Sequence, residues 1–198
     1  MFIYLKSINF LLISLIVILL NGCSSTNMKD FENKTPKLNL FEFFKGETVA
    51  YGIFEDRFGK LRRQFRVKIK GSVEENTLTL DEKFIYDDGE KATRIWKIKK
   101  INENNNLIKY EGSAEDVEGL ATGTSVGNAL NWTYDIYLNI KGSNLKVKFN
   151  DWIYKQDSNI AINRAYVSKF GIDIGSVTLV FLRGQTAKTV SPLNINSW

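Results

Sequence analysis

The clearest pattern in the chain is WTYDIYLNI, residues 132–140, in which apolar and more polar residues alternate. Trp132, Tyr134, Ile136, Leu138 and Ile140 occupy every second position. Because successive side chains of a β-strand point to opposite faces, this period of two predicts a strand with one apolar and one polar face. Such a strand lies between a hydrophobic interior and water.

The same alternation recurs on both sides of this segment. Its apolar positions include Phe65, Val67 and Ile69, then Leu78 and Leu80, Trp96 and Ile98, Leu145, Val147 and Phe149, and finally Val177, Leu179 and Phe181. Turn-forming residues separate the runs, and the short connections favour antiparallel hairpins over parallel strand-helix-strand units. We therefore predict an all-β fold, a single antiparallel up-and-down barrel of about nine to ten strands, because closure removes exposed strand edges.

A short amphipathic segment precedes the first predicted strand. Leu40, Phe41, Phe43 and Phe44 lead to Gly46, and we expect one turn of helix, or a plug, at this point. We predict that the barrel domain spans residues 38–185 and that a C-terminal tail covers residues 186–198.

The N-terminal segment has the layout of a bacterial lipoprotein signal. An apolar run, residues 8–20, follows the single cation Lys6 and ends just before Cys23. The run is too short for a comfortable membrane span. We expect removal of residues 1–22, acylation of Cys23, and a flexible tether over residues 23–37. A transmembrane anchor, or a secretory signal with an incidental cysteine, is the alternative.

Acylation predicts a location in the cell envelope, since several acyl chains anchor a protein almost irreversibly. Ser24 follows the cysteine, at the position where aspartate favours inner-membrane retention in enteric bacteria. We therefore prefer the periplasmic face of the outer membrane, with membrane lipid as the partner through acylated Cys23. The net charge of +5 is mild and spread along the chain, so we expect no nucleic-acid partner.

Two residue counts limit the available chemistry. The sequence contains no histidine, which excludes Ser-His-Asp and Cys-His catalysis, His-ligated zinc and His-ligated haem. Cys23 is the single cysteine, so its acylation leaves no thiol for a disulfide. We predict no metal, no cofactor and no assigned catalytic residue. Any catalysis would depend on Asp, Glu, Lys, Tyr or Arg.

Charged residues recur beside aromatic residues, and they are the candidates for a ligand site. We select Arg164, Arg94, Arg57, Trp96, Trp152 and Tyr134. At a barrel mouth, arginine would bind a carboxylate or phosphate in bidentate fashion, and aromatic residues would form an apolar wall for an acyl chain. Arg164 is the first choice because its neighbours indicate a buried strand, where it needs Asp151 or an anionic ligand as partner. The alternative is structural: arginines stacked on tryptophans at the barrel ends.

A series of glycines, Gly112, Gly119, Gly123 and Gly127, has the look of a phosphate-binding loop. It lacks the Lys-Ser/Thr pair and the strand-then-helix setting that such loops require. We interpret it as a sign of strongly bent strands or a bulged hairpin.

Several segments carry a resemblance to one family. They are AYGIFEDRFG at residues 50–59, LTLDE at 78–82, YDDG at 86–89, GNALNW at 127–132, DW at 151–152 and NRAYVSKFG at 163–171. The chain resembles uncharacterised bacterial lipoproteins of the domain-of-unknown-function class, found in Proteobacteria. The resemblance implies no established activity, and it suggests a link to membrane-lipid homeostasis only by association.

A second resemblance is to lipocalin-like barrels. Such barrels begin with a short helix and a glycine-containing first strand, and they end with a strand that carries a basic residue. Residues 41–46, residues 49–54 and Arg183 match these features. The Gly-x-Trp signature of the first strand is missing here.

For function, we favour a non-catalytic protein that binds a lipid or another amphipathic small molecule in the envelope. The first alternative is a lipid-modifying isomerase or cyclase on the same barrel, with tyrosine or carboxylate acid/base chemistry. The second is a structural or assembly lipoprotein with a filled interior. An open apolar cavity of several hundred Å³ would favour binding or catalysis, and a buried carboxylate beside that cavity would favour an enzyme.

Overall fold

The computed structural model describes residues 26–104, 106–140, 143–189 and 198. Its strands are β1 (Gly46–Asp56), β2 (Leu61–Glu74), β3 (Thr77–Tyr86), β4 (Lys91–Asn104), β5 (Leu107–Ser113), β6 (Val117–Val126), β7 (Ala129–Ile140), β8 (Ser143–Lys155), β9 (Ile160–Lys169) and β10 (Ile172–Arg183). Its helices are a 3₁₀ turn (Met28–Phe31), α1 (Leu40–Phe44) and α2 (Gly184–Thr189). The predicted signal peptide, Cys23 and most of the predicted C-terminal tail lie outside the described residues.

The ten strands form one closed antiparallel barrel. Each strand pairs with the next along the chain, and β10 returns to pair with β1 from Thr48 opposite Arg183 to Asp56 opposite Gly175. This closure leaves no sheet edge among the described strands to pair with another chain. The predicted all-β, up-and-down barrel is confirmed.

The period-two pattern is the physical origin of the barrel. Side chains that alternate along each strand point inward and form one hydrophobic core, which includes Val67, Leu80, Trp96, Trp132, Ile136, Val147 and Phe181. The buried residues of this core lie between Leu38 and Phe181 in the sequence. A chain of residues 26–198 therefore contains every strand and every core residue that the structure describes.

Helix α1 closes one end of the barrel. The side chain of Asn39 caps it by accepting a hydrogen bond from the Phe41 backbone N–H at 3.0 Å. Phe43 and Phe44 are buried in the interior, and the ring of Phe44 meets Phe181 edge-on with centroids 5.1 Å apart. The guanidinium of Arg183 lies 5.6 Å from the centre of the Phe43 ring. The predicted short helix is therefore the floor of the barrel.

The segment before α1 packs against the outside of the barrel. The Phe31 ring contacts the rings of Trp152 and Tyr154, with centroids 6.0 and 5.7 Å apart. The backbone N–H of Leu38 donates to the Gly127 carbonyl at 2.7 Å. In its described part, the segment predicted as a tether over residues 23–37 forms a strap that lies on the barrel, where Phe31 removes apolar surface of β8 from water.

Among the described residues, the helices are all too short or too polar to cross a membrane.

Candidate functional site

The barrel encloses a cavity of about 740 Å³. Leu40 and Phe44 of α1 line one end of this cavity, and Arg62 and Glu90, beside the β1–β2 and β3–β4 hairpins, line the other. The end that carries the β1–β2 and β3–β4 hairpins, opposite α1, is therefore the mouth. Most of the wall is apolar, as in the pockets of about 300–1,000 Å³ that hold small molecules. An open volume of this size argues against the interpretation of a filled interior.

In addition to Arg62, Arg63 and Glu90 at the mouth, one group of polar side chains interrupts the apolar wall. We call this group the interior polar cluster: Glu82, Arg94, Asp116, Tyr134, Asp151 and Asn163, all of which line the cavity. Glu82 and Arg94 are direct partners in the register of β3 and β4, so both side chains enter the interior side by side. The carboxylates of Glu82 and Asp151 and the guanidinium of Arg94 are thus placed in a largely apolar surrounding, where charges interact strongly, and the partly exposed Asp116 lies beside them.

Arg94 binds Asp116 in bidentate fashion. Its Nε donates to Oδ1 and Oδ2 at 3.2 and 3.0 Å, and its Nη2 donates to Oδ2 at 2.7 Å. Although burial disfavours the charge of Arg94, the nearby Tyr134, Glu82 and Asp116 raise its pKa above the ordinary value. Arg94 therefore stays protonated, and its fork is already occupied by a carboxylate from the connection between β5 and β6.

The pKa of Glu82 is raised to a higher value than that of Asp151, the other buried carboxylate of the cluster. Loss of water around its carboxylate raises its pKa to about 7, although the neighbouring positive charge of Arg94 opposes this rise. At neutral pH, Glu82 is therefore divided between its protonated and ionised forms. Such a group can donate or accept a proton, or hydrogen-bond to a ligand in either role.

Asp151 is the second carboxylate with a raised pKa. Burial raises its pKa to about 6, while hydrogen bonds from Asn163 and Tyr134 act in the opposite direction. The Nδ2 of Asn163 donates to Oδ1 of Asp151 at 3.0 Å. The Oδ1 of Asn163 is buried and has no hydrogen-bond partner among the described residues. Burial also raises the pKa of Tyr134, so its hydroxyl remains a neutral donor.

Aromatic rings form the wall beside the interior polar cluster. The ring of Trp96 meets Trp132 and Tyr134 edge-on, at centroid distances of 5.7 and 5.2 Å. Two of the predicted bend glycines make room for Trp132: a Cβ would lie 2.8 Å from its ring at Gly112 and 2.2 Å at Gly123. Those glycines thus permit the large ring to lie against the strands.

Three of the predicted ligand residues come together here. Arg94, Trp96 and Tyr134 all line the cavity, from adjacent inward positions on β4 and from β7. The sequence pattern placed Trp96 and Tyr134 on apolar faces and marked Arg94 as a charged residue beside Trp96. The closed barrel brings β4 and β7 into contact range across its interior.

Arg164 lies on the outer face instead, which corrects the predicted interior location. Its Nη1 donates to Thr178 Oγ1 at 2.6 Å and lies 3.6 Å from Glu55 Oε2, with the side chain partly exposed. Its neighbours Asn163 and Ala165 point inward, so alternation sends Arg164 outward. Its expected partner, Asp151, binds Asn163 instead.

Arg57 and Trp152 also lie away from the cavity. Arg57 is exposed in the β1–β2 hairpin, where its guanidinium lies 5.2 Å from the centre of the Phe58 ring. Trp152 is buried on the outer face of β8, beneath Phe31 of the strap. Neither contact is the stack of an arginine on a tryptophan that the structural alternative describes.

Glu82, Asp116 and Asn163 line the cavity but were not predicted from the sequence, and Asp151 was predicted only as a partner of Arg164. A signal existed for Glu82, because it continues the inward face of Leu80 and Phe84. A charged residue in register with an apolar face is unusual and points to a function or a buried pair. Asp116 carries no such signal, since it lies in a turn. Among the described residues, no three potential ligands converge as a metal site.

Comparison with known proteins identifies a family. Residues 17–183 match the family described as "Protein of unknown function (DUF3833)". The chain belongs to this family. The predicted membership of a domain-of-unknown-function family is therefore confirmed. No curated protein matched the chain.

Two solved structures are similar to this barrel. The S-type phycobiliprotein lyase CPES from Guillardia theta is 9% identical, with a TM-score of 0.55, and the match covers 81% of this chain and 98% of that one. A de novo designed fluorescence-activating β-barrel is 10% identical with a TM-score of 0.40, covering 74% of this chain and 99% of the design. At 9% identity, the likeness to the lyase concerns the fold alone.

Proposed function

We propose that this protein binds an amphipathic small molecule, such as a membrane lipid, in the barrel cavity and does not change it chemically. The observation that carries the proposal is the open cavity of about 740 Å³ with an apolar wall and one interior polar cluster. The apolar wall would hold the tail of the ligand, and the few polar groups would fix its orientation.

The polar end of the ligand follows from the charges at the cluster. Arg94 is already bound to Asp116 through both carboxylate oxygens, so it offers little to an anionic headgroup. Glu82 and Asp151 add acceptors, and Asn163 adds a buried oxygen that has no partner in the described structure. We therefore favour a ligand that donates hydrogen bonds, through hydroxyl or protonated amine groups, over a bare carboxylate or phosphate.

Native mass spectrometry of residues 26–198, after incubation with an envelope lipid extract, tests this function. Ala92 lines the cavity, whereas its neighbour Lys91 is exposed. Wild type and the matched control Lys91→Trp should retain the same bound species, and Ala92→Trp should lose it by filling the cavity. Absence of any bound small molecule in wild type would remove the proposal.

The proposal also includes the location of the protein in the cell. We infer that Cys23 is acylated and holds the domain in the cell envelope, at the periplasmic face of the outer membrane, where the protein contributes to membrane-lipid homeostasis. The apolar run before Cys23 supports this, and the family match from residue 17 includes the cysteine. Labelling with palmitate should mark the full chain and leave Cys23→Ala unmarked. Equal labelling of both would contradict acylation at this position.

The second candidate function is a lipid-modifying enzyme, such as an isomerase or cyclase. The observation in its favour is the pair Glu82 and Asp151 at the cavity wall, whose pKa values burial raises to about 7 and about 6. Groups near neutrality suit general acid/base chemistry. Lipids recovered after incubation separate the two functions. If the protein only binds lipids, the recovered lipids are unchanged, whereas an enzyme converts them into species with altered chromatographic retention. This conversion should disappear in Glu82→Gln and persist in Glu74→Gln, a control at an exposed position.

A further inference from the structure

We propose that the mouth end of the barrel docks on an anionic lipid bilayer through two hairpin tips. This inference goes beyond the proposed function, because it concerns the outer surface and holds whatever the cavity binds. It also differs from anchoring through Cys23, since it assigns the contact to side chains of the folded domain.

The apolar part of this surface lies on the β1–β2 and β9–β10 hairpins. We call it the rim patch: Phe58, Leu61, Phe170 and Ile172, which are 84%, 48%, 92% and 58% exposed. Single exposed apolar residues are common on soluble proteins, but two nearly bare phenylalanines at adjoining tips are not. From this exposure we infer that the rings insert into a partner.

The two tips are neighbours because β10 pairs with β1. The backbone N–H of Arg57 donates to the Ile174 carbonyl at 3.0 Å, which links the first hairpin to the second. Within the first tip, Asp56 Oδ1 accepts hydrogen bonds from the N–H groups of Phe58 and Lys60 at 2.9 and 3.1 Å. The rings are thus presented by ordered turns, so docking needs little further ordering of the chain.

Cations stand beside the exposed rings. The Arg57 guanidinium lies 5.2 Å from the Phe58 ring centre, and Lys169 Nζ lies 5.2 Å from that of Phe170. The tips, residues 56–62 and 169–173, carry a net charge of +2, from the four cations Arg57, Lys60, Arg62 and Lys169 and the two carboxylates Asp56 and Asp173.

This arrangement fits a bilayer better than a second protein. Rings that enter the boundary between headgroups and acyl chains bury apolar surface, while long cationic side chains remain at the level of the phosphates. The positive charge complements an anionic lipid surface. A stable protein interface usually needs about 800 Å² on each partner with matched shapes, whereas here four side chains protrude from two narrow turns. The mouth of the cavity is at the same end, so docking would bring it against lipid.

Cosedimentation with vesicles tests the inference, using residues 26–198, which lack Cys23 and therefore any acyl anchor. Wild type should bind anionic vesicles, in which phosphatidylglycerol and phosphatidylcholine are mixed in equal proportion. Phe58→Ser with Phe170→Ser should weaken this binding by about tenfold or more, because two exposed rings no longer enter the bilayer. The matched control, Ile101→Ser with Leu120→Ser, removes exposed apolar residues from the barrel wall and should leave binding unchanged.

The charges are tested in parallel. Lys60→Glu with Lys169→Glu should reduce binding to the anionic vesicles by about tenfold, given a contribution near 1 kcal/mol for each basic residue at such a surface. The control Lys97→Glu with Lys148→Glu changes exposed lysines on the wall and should have a much smaller effect. Absence of vesicle binding by wild type, or an equal loss in the control pairs, would overturn the inference.

Discussion

Arg94 of β4 and Asp116 of the β5–β6 connection form a bidentate ion pair at the cavity wall, with Nη2 and Oδ2 2.7 Å apart. This pair ties the β5–β6 connection to the barrel wall, and it occupies the guanidinium of Arg94. Glu82 and Asp151, the other two carboxylates of the interior polar cluster, line the same cavity.

Removal of one partner of this pair should destabilise the fold. Asp116→Ala leaves the Arg94 guanidinium without its bidentate acceptor, and we expect a loss of about 1–3 kcal/mol in the free energy of unfolding. Arg164→Gln is the control, because its 3.6 Å contact with Glu55 is partly exposed and should contribute less than about 1 kcal/mol. Urea unfolding followed by tryptophan fluorescence measures both. A larger loss for Arg164→Gln would contradict this assignment.

The raised pKa of Glu82 makes a prediction with a definite sign. In the folded protein its pKa is about 7, above the usual value of 4.5, so between these values the folded state holds the proton more tightly. The stabilisation is complete below the usual pKa and is lost as pH rises through about 7. Because Glu82→Gln stays neutral at every pH, it should match wild type near about pH 5 and exceed it by about 1–3 kcal/mol near about pH 8.

The same urea unfolding experiment at both pH values measures this difference. Asp151 acts in the same direction over a lower range, because burial raises its pKa to about 6. Glu74→Gln, at an exposed position, is the matched control and should stay within about 0.5 kcal/mol of wild type in each measurement. If Glu82→Gln differed from wild type equally at both pH values, the carboxylate would not be desolvated as described.

Trp132 should be the most costly aromatic residue to truncate. It is buried in the core, where it meets Trp96 and lies against Gly112 and Gly123. Trp132→Ala should reduce the free energy of unfolding by about 3–5 kcal/mol, as large-to-small core changes do. Leu120→Ala, at an exposed position, should stay within about 0.5 kcal/mol of wild type. A Trp132→Ala variant that melts with wild type would disprove the core position.

Gly123 should be intolerant of a methyl group. A Cβ at this position would lie 2.2 Å from the Trp132 ring, so Gly123→Ala should destabilise the fold by about 1–3 kcal/mol through overpacking. Combined with Trp132→Ala, which removes the clashing ring, the substitution should have little further effect. Additive losses in that double variant would show that another constraint acts on Gly123.

The strap before α1 should contribute to stability. Phe31→Ala removes the ring that packs on Trp152 and Tyr154, and we expect a loss of about 1–3 kcal/mol in the free energy of unfolding. Glu32→Ala, at the exposed neighbouring position, is the control and should change little. Equal stabilities of all three proteins would mean that the segment is a tether after all.

The interior of the barrel explains why the candidate site was predicted only in part. On β9 the inward side chains include Ala161, Asn163 and Ala165, whereas Ile160 and Ile162 lie on the other face. The inward face is therefore no more apolar in sequence than the outward one. For this reason the local composition could not predict whether Arg164 points into the barrel or out of it. On β4, by contrast, Arg94 and Trp96 occupy alternate positions and both line the cavity.

The sequence predicts the barrel, because a period of two is a local consequence of strand geometry and turn residues set the hairpins. It also determined the limits on chemistry that follow from one cysteine and no histidine. The tertiary structure alone decided that the interior is open and that Asp116 reaches Arg94 from a separate hairpin. Cavity volume depends on strand number, strand stagger and the sum of all inward side chains, and contacts between distant segments exist only once the sheet has closed.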